Sequence, residues 1–132
     1  GWSSSRFTSK ENSRARKIIM RNFVDTEVDA LVSLKVLDEG VDVPVCNKAF
    51  ILASARSPRQ YVQRRGRVLR PHPSKSKSII YDFVVLPAPG AANLASETLV
   101  KAELARVDNF CMLARNRKQV EDTIDKLGMR NE

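Results

Sequence analysis

Three short apolar runs, Asp29–Leu34, Ala49–Ala53 and Ser78–Val85, constrain this chain more than any other feature of its sequence. Each is too short for the apolar stripe of a packed helix, and each is almost continuously apolar rather than alternating. That is the pattern of a strand buried on both faces. The stretches between them are helical in pattern. Ile18, Ile19 and Phe23 recur at helical spacing, with Arg14, Arg16, Lys17 and Arg21 off that face. Ser57-Pro58 then places a capping serine and a first-turn proline ahead of a second helix. Strands alternating with helices predict an α/β fold, a parallel sheet with helices on both faces.

The punctuation sets the boundaries. Thr8-Ser9-Lys10-Glu11 has the spacing of a capping box and predicts a helix entry there. Asp25-Thr26-Glu27 reads as a turn, and Lys35 to Pro44 as a loop. The second helix is expected to run to about Leu69 and to stop before Pro71. The α/β part thus covers residues 1–86, followed by a Pro, Gly and Ala-rich linker over 87–95 and a helical extension over 96–132. In the extension Leu99, Ala102, Leu104, Val107, Phe110 and Leu113 form an apolar stripe. Gln119 to Leu127 adds a short helix closed by Gly128.

A chain of 132 residues supports one modest core. No apolar run approaches the ~20 residues of a membrane-spanning helix, and Gly1 to Arg6 lacks the apolar centre of a signal peptide. Cys46 and Cys111 are far apart and in no metal-ligand spacing, so free thiols in a reducing cytoplasm are expected, with no metal site.

The charge is concentrated. Of 23 basic residues, nine lie between Asp42 and Asp82, a stretch with no Asp or Glu. They are Lys48, Arg56, Arg59, Arg64, Arg65, Arg67, Arg70, Lys75 and Lys77. The remaining 14 stand against 15 acidic residues, so the whole excess of +8 arises from this segment. A solvated face normally intersperses both signs to limit self-repulsion. A one-signed arginine cluster points to a polyanion, either nucleic-acid or nucleotide phosphate.

Two stretches have the composition of phosphate-handling elements. Leu34-Lys35-Val36-Leu37-Asp38-Glu39-Gly40-Val41-Asp42-Val43-Pro44 leaves the end of a buried strand, where ligands sit in open α/β sheets. Taken alone it reads equally as a structural connection with a turn glycine. In Gln60 to Arg70, residues Gln63, Arg67 and Arg70 are spaced to share one helix face, with Arg64 beside it. Gly66 inside a helix costs about 1 kcal/mol relative to alanine, which suggests close approach of a backbone or a ligand.

Together, these stretches resemble motifs V and VI of superfamily 2 DEAD/DEAH-type helicases. Leu37-Asp38-Glu39-Gly40-Val41-Asp42-Val43-Pro44 is similar to motif V. Gln63-Arg64-Arg65-Gly66-Arg67-Val68-Leu69-Arg70 is similar to the Q-R-x-G-R-x-x-R form of motif VI. Ser13-Arg14-Ala15-Arg16 sits where such proteins carry a further helix element, with Arg16 the matching residue. The resemblance, over about residues 7–86, implies the C-terminal RecA-like lobe, a partial one of the P-loop NTPase type. It implies that Arg67 and Arg70 reach the ATP γ-phosphate, with Gln63 coupling nucleotide to helix. A guanidinium suits that task because it is always charged and offers a rigid fork. Gly40, Asp42 and Arg64 are implied near the nucleotide. Arg16, Ser33, Leu34 and Lys35 are the implied nucleic-acid contacts, and Arg56, Arg59 and Lys75 of the basic segment are further candidates for that contact. Many relatives have Ser or Thr in place of Leu34, leaving Ser33 or a backbone N–H for that contact. The tail, Glu103-Leu104-Ala105-Arg106 with Phe110 and Ala114-Arg115-Asn116, resembles an extension of bacterial restriction, defence or repair helicases, but its physics favours a helix packing against the lobe.

The chain contains no G-x-x-x-x-G-K-[ST] loop and no apolar strand ending in an acidic pair. ATP with Mg²⁺ is therefore expected to be held mainly by a first RecA-like lobe outside this sequence. The chain then reads as a fragment, inactive alone, whose opening strand and helix are missing. DNA is the expected partner, RNA being possible, and no membrane is implied. The alternative is a non-enzymatic basic nucleic-acid-binding module or docking fragment.

Overall fold

The computed structural model of the chain describes residues 1–33, 43–52, 57–88 and 93–129. Among them are four strands and four helices in the order β1 (Ser4–Phe7), α1 (Ser13–Val24), β2 (Ala30–Ser33), β3 (Lys48–Ile51), α2 (Pro58–Val68), β4 (Ile79–Asp82), α3 (Leu94–Cys111) and α4 (Arg117–Lys126). β1 pairs with β2 in parallel, Ser4 opposite Ala30 and Phe7 opposite Ser33. β3 pairs with β4 in parallel, Lys48 opposite Ile79 and Ile51 opposite Asp82. A parallel pair needs a crossover, and here each crossover contains a helix, α1 in one and α2 in the other. The expected α/β fold with parallel pairing is what the structure shows.

The chain forms two compact units. One holds Gly1–Asn47 and Gly66–Ser78, the other Lys48–Arg65 and Ile79–Glu132.

In the first unit, β1 is an element the sequence reading leaves out. Its serines carry no apolar pattern, and only Phe7, 1% exposed, is buried. The Asp29 carboxylate fastens the start of this strand, accepting from the Ser3 N–H at 2.8 Å and the Ser3 hydroxyl at 2.9 Å. The expected helix entry at Thr8 is also corrected. Glu11 accepts from the Thr8 N–H and hydroxyl, both at 2.6 Å, but this closes the turn after β1. Asn12 is the cap, its side-chain oxygen accepting from the Ala15 N–H at 2.8 Å.

α1 ends in a Schellman motif. The Thr26 N–H donates to the Phe23 carbonyl and the Glu27 N–H to the Asn22 carbonyl. Thr26 occupies the left-handed position with φ 61°, a place that usually belongs to glycine.

The second unit contains a small core of Val107, Ile124 and Met129, with Leu104 and Val120 packed against it. α4 ends in the same motif, but with Gly128 at φ 63°. Met129 folds back over the last turn, its N–H donating to the Ile124 carbonyl at 3.3 Å. The apolar stripe expected on α3 is borne out at Leu104 and Val107, which belong to this core, and corrected elsewhere along that helix. Its buried residues are Glu103, Arg106, Val107 and Cys111, whereas Leu113 is 78% exposed. Both cysteines remain as thiols, and burial pushes that of Cys111 up.

Candidate functional site

α2 begins at Pro58 directly after Ser57, where the fixed φ of proline suits the first helical position. It ends at Val68, so Arg70 lies two residues past the helix. The expected three-residue face is corrected accordingly: Gln63 and Arg67 share a helical face, but Arg70 is not on it. Residue 70 precedes Pro71, whose ring disfavours the helical conformation at the residue before it.

Helical geometry sorts the remaining side chains of α2. At about 100° per residue, Gln63 and Arg67 lie within about 40° of one another, and Arg65 points about 200° away from Gln63. Arg65 is bound on that other side, its Nη1 donating to the Asn109 carbonyl and, at 2.7 Å, to Asn109 Oδ1. Gln63 and Arg67 are half-buried, and Gly66 beside them is exposed. A Cβ at Gly66 meets nothing within 4 Å among the described residues, so their packing does not account for this glycine.

The Val68 carbonyl at the C-terminus of α2 has a cationic and a hydroxyl partner. Lys75 Nζ donates to the Val68 carbonyl at 2.6 Å and the Cys46 carbonyl at 3.0 Å, and the Ser78 hydroxyl donates to Val68 at 3.0 Å. A cation here suits the negative end of the helix dipole. Burial lowers the affinity of Lys75 for its proton. Lys75 is thus engaged in closing a helix, and the same holds for Arg65 in tying α2 to α3.

Ser33, at the end of β2, places its hydroxyl oxygen in a buried position with no hydrogen-bond partner among the described residues. A buried unsatisfied hydroxyl calls for a ligand, a water or a neighbouring backbone group. Arg16, half-buried on α1, donates through Nε to the Thr8 carbonyl at 3.2 Å. Leu34, Lys35, Gly40, Asp42 and Arg56 lie outside the described residues, as do the side chains of Arg59 and Arg64. No three His, Cys, Asp or Glu side chains converge as a metal-binding group among the described residues. No helix of the described residues is long and apolar enough to cross a membrane.

One cluster is missed by motif reading. Arg106 is 3% exposed. Its Nε donates to Asp82 Oδ2 on β4 at 3.0 Å, and its Nη2 to Glu103 Oε2 at 2.7 Å. Glu103 Oε2 also accepts from the Val85 N–H at 2.9 Å. Burial raises the Asp82 carboxyl above the ordinary range, against the pull of Arg106. For Glu103 burial acts upward too, but Arg106 and the Val85 N–H outweigh it and hold the carboxyl low. Burial opposes the charge of Arg106, and its two carboxylate partners more than restore it. The sequence holds the signal: Asp82 interrupts an apolar run, and a buried carboxylate needs a cation.

Residues 1–72 match the helicase conserved C-terminal domain. The chain is 40% identical over 63 residues to the DNA 3'-5' translocase XPB2 of Sulfurisphaera tokodaii, which covers 48% of this chain and 14% of that protein. It is 27% identical over 110 residues to Dicer-like protein 2 of Pyricularia oryzae, 82% of this chain and 7% of that protein. The chain therefore spans a small part of the length of the relatives it matches. In structure it is similar to the C-terminal domain of the DEAD-box protein Dbp5, with a TM-score of 0.55 and 19% identity over 80% of this chain and 56% of that one. The fold is that of a RecA-like C-terminal helicase lobe, and the chain belongs to the helicase conserved C-terminal domain family.

Proposed function

We propose that this chain is the second motor lobe of an ATP-dependent nucleic-acid helicase or translocase. In that role it presents arginines to ATP bound mainly on a first RecA-like lobe. The observation that carries the reading is the division of α2 into two sides. Arg65 is taken up by Asn109 on one side, and Gln63 and Arg67 lie together on the other beside Gly66, which no described residue covers. A glycine that no described residue covers leaves room for a phosphate to approach the helix backbone. A guanidinium and an amide one turn apart supply fixed donors to it.

In this reading Arg67 and Arg70 stabilise the charge that develops on the transferring γ-phosphoryl group, with Gln63 orienting the contact. Arg70 reaches in from the segment after the helix. ATP with its Mg²⁺ supplies the phosphoryl group and its neutralising cation, and the residues of this chain orient donors toward it. Gly40, Asp42 and Arg64 belong near the nucleotide. The buried Ser33 hydroxyl, with Arg16, Leu34, Lys35, Arg56 and Arg59, is the candidate contact to the nucleic-acid backbone. DNA is the favoured partner, in keeping with the DNA translocase among the relatives. A chain lacking a phosphate-binding loop does not turn over ATP alone.

The test is ATP turnover by the longer protein that carries this chain. Arg67→Ala and Arg70→Ala should each reduce turnover by about 10³-fold or more and leave nucleic-acid binding within a few-fold. Unchanged turnover in both variants refutes the arginine assignment. Steeply salt-dependent DNA binding by the isolated chain, with no nucleotide effect in the longer protein, favours a plain basic binding module instead.

A further inference from the structure

Glu103, Arg106 and Asn109 follow one another along α3 at intervals of three residues, which sets them on neighbouring positions of that helix. Each ties α3 to a different neighbour. Glu103 accepts from the Val85 N–H after β4, Arg106 bonds to Asp82 on β4, and Asn109 accepts from Arg65 on α2. All of these residues belong to one compact unit. α3 lies beyond residues 1–72, the stretch that matches the family.

We propose that α3 is a clamp that positions α2, with Asn109 as the positioning residue and Arg65 as the handle it holds. Arg106 is locked between two carboxylates and almost wholly buried, so the anchor at β4 is firm. Three residues further on, Asn109 offers two oxygens to a single guanidinium nitrogen, and hydrogen bonds to a charged donor are the stronger kind. A helix transmits rotation along its backbone. Holding residue 65 therefore sets the direction in which residue 63 faces, about half a turn round the cylinder. A segment outside the conserved domain thus sets the aim of a donor inside it. The clamp itself stands on these contacts. Its consequence for turnover rests on the function proposed above.

Amide hydrogen exchange on the 132-residue chain tests the clamp directly. Asn109→Ala removes Oδ1 but keeps the backbone carbonyl, and it should raise exchange in residues 59–68 roughly tenfold, as loss of one charge-assisted hydrogen bond implies. Asn109→Asp keeps an acceptor at the same place and should restore protection. Arg65→Gln should reproduce the alanine result from the other partner, and the β1–β2 amides should not change in any variant. Exchange in α2 that is the same in Asn109→Ala as in the parent chain overturns the proposal, and so does failure of Asn109→Asp to restore it. In the longer protein, Asn109→Ala should lower kcat for ATP several-fold at unchanged KM, again with recovery in Asn109→Asp. An unchanged kcat overturns the positioning role. If Arg67→Ala and Arg70→Ala leave turnover intact, the motor reading fails, and the exchange experiment still decides the clamp.

Discussion

Arg106 Nε lies 3.0 Å from Asp82 Oδ2, across 24 residues of sequence, and both side chains are nearly excluded from water. Glu103 completes a triad in which two carboxylates share one guanidinium. Removing one member of a buried ion cluster strands its partners as uncompensated charges, which costs more than the cluster contributes. Arg106→Ala is therefore expected to destabilise the chain by about 3–5 kcal/mol. Replacing the triad together, with Arg106→Met, Asp82→Leu and Glu103→Leu, should cost much less. Chemical denaturation of the two variants measures the difference. An equal loss in both would show that the site is held by shape rather than by charge.

The two carboxylates of the first unit predict acid sensitivity. Hydrogen bonds from the Ser3 N–H and hydroxyl hold Asp29 below its ordinary value, and the hydroxyl and N–H of Thr8 do the same for Glu11. A folded-state value below the unfolded one contributes stability above the ordinary carboxylate range, and that contribution is lost as pH falls through the depressed value. Asp82, raised by burial, works the other way: its contribution favours the folded state on the acidic side and declines as pH rises through its folded value. The denaturation midpoint should fall below about pH 4, and Asp29→Asn should flatten that acid limb while lowering the midpoint at neutral pH. An acid limb unaltered in Asp29→Asn contradicts the assignment.

Thr26 carries a β-branched side chain at φ 61°, where L-residues pay a steric penalty of about 1–2 kcal/mol. Glycine removes the penalty and loses part of the gain to chain entropy. Thr26→Gly should stabilise the chain by about 1 kcal/mol, with Thr26→Asn between the two. Gly128→Ala, at the matching position of α4, should shift the melting temperature in the opposite direction.

Gly66 separates stability from function. Its Cβ position is open, so Gly66→Ala should stabilise α2 by about 0.5–1 kcal/mol. If a phosphate approaches the helix there, the same substitution lowers ATP turnover in the longer protein. A variant that is more stable and fully active would remove the ligand from the explanation of this glycine.

How far the fold was legible follows from how local each signal is. β2, β3 and β4 were readable because Leu31, Ile51 and Ile80 sit in short apolar runs. α2 was readable from Ser57-Pro58 at one end and Pro71 at the other. β1 was not readable, because Ser4 and Ser5 owe their extended conformation to pairing with Ala30 and Leu31 about 26 residues away. Thr8–Glu11 shows the limit of a motif: its hydrogen bonds form as the spacing predicts, yet they close a turn because Asn12 is better placed to cap the helix.

The sequence by itself determined the alternation of strands and helices, the concentration of arginine between Asp42 and Asp82, and the order of the two helicase-like motifs. These depend on side-chain type and spacing, which are local properties of the chain. Only the tertiary structure decided what Arg65 and Lys75 of that segment hold. Arg65 and Lys75 are alike in charge, but the fold brings the Asn109 side chain to one and the Val68 and Cys46 carbonyls to the other. It also turned Glu103 and Arg106, polar residues of an exposed-looking helix, into a buried tie to β4. Charge is written in the sequence, whereas the partner that occupies a charge is set by distances between residues far apart in the chain.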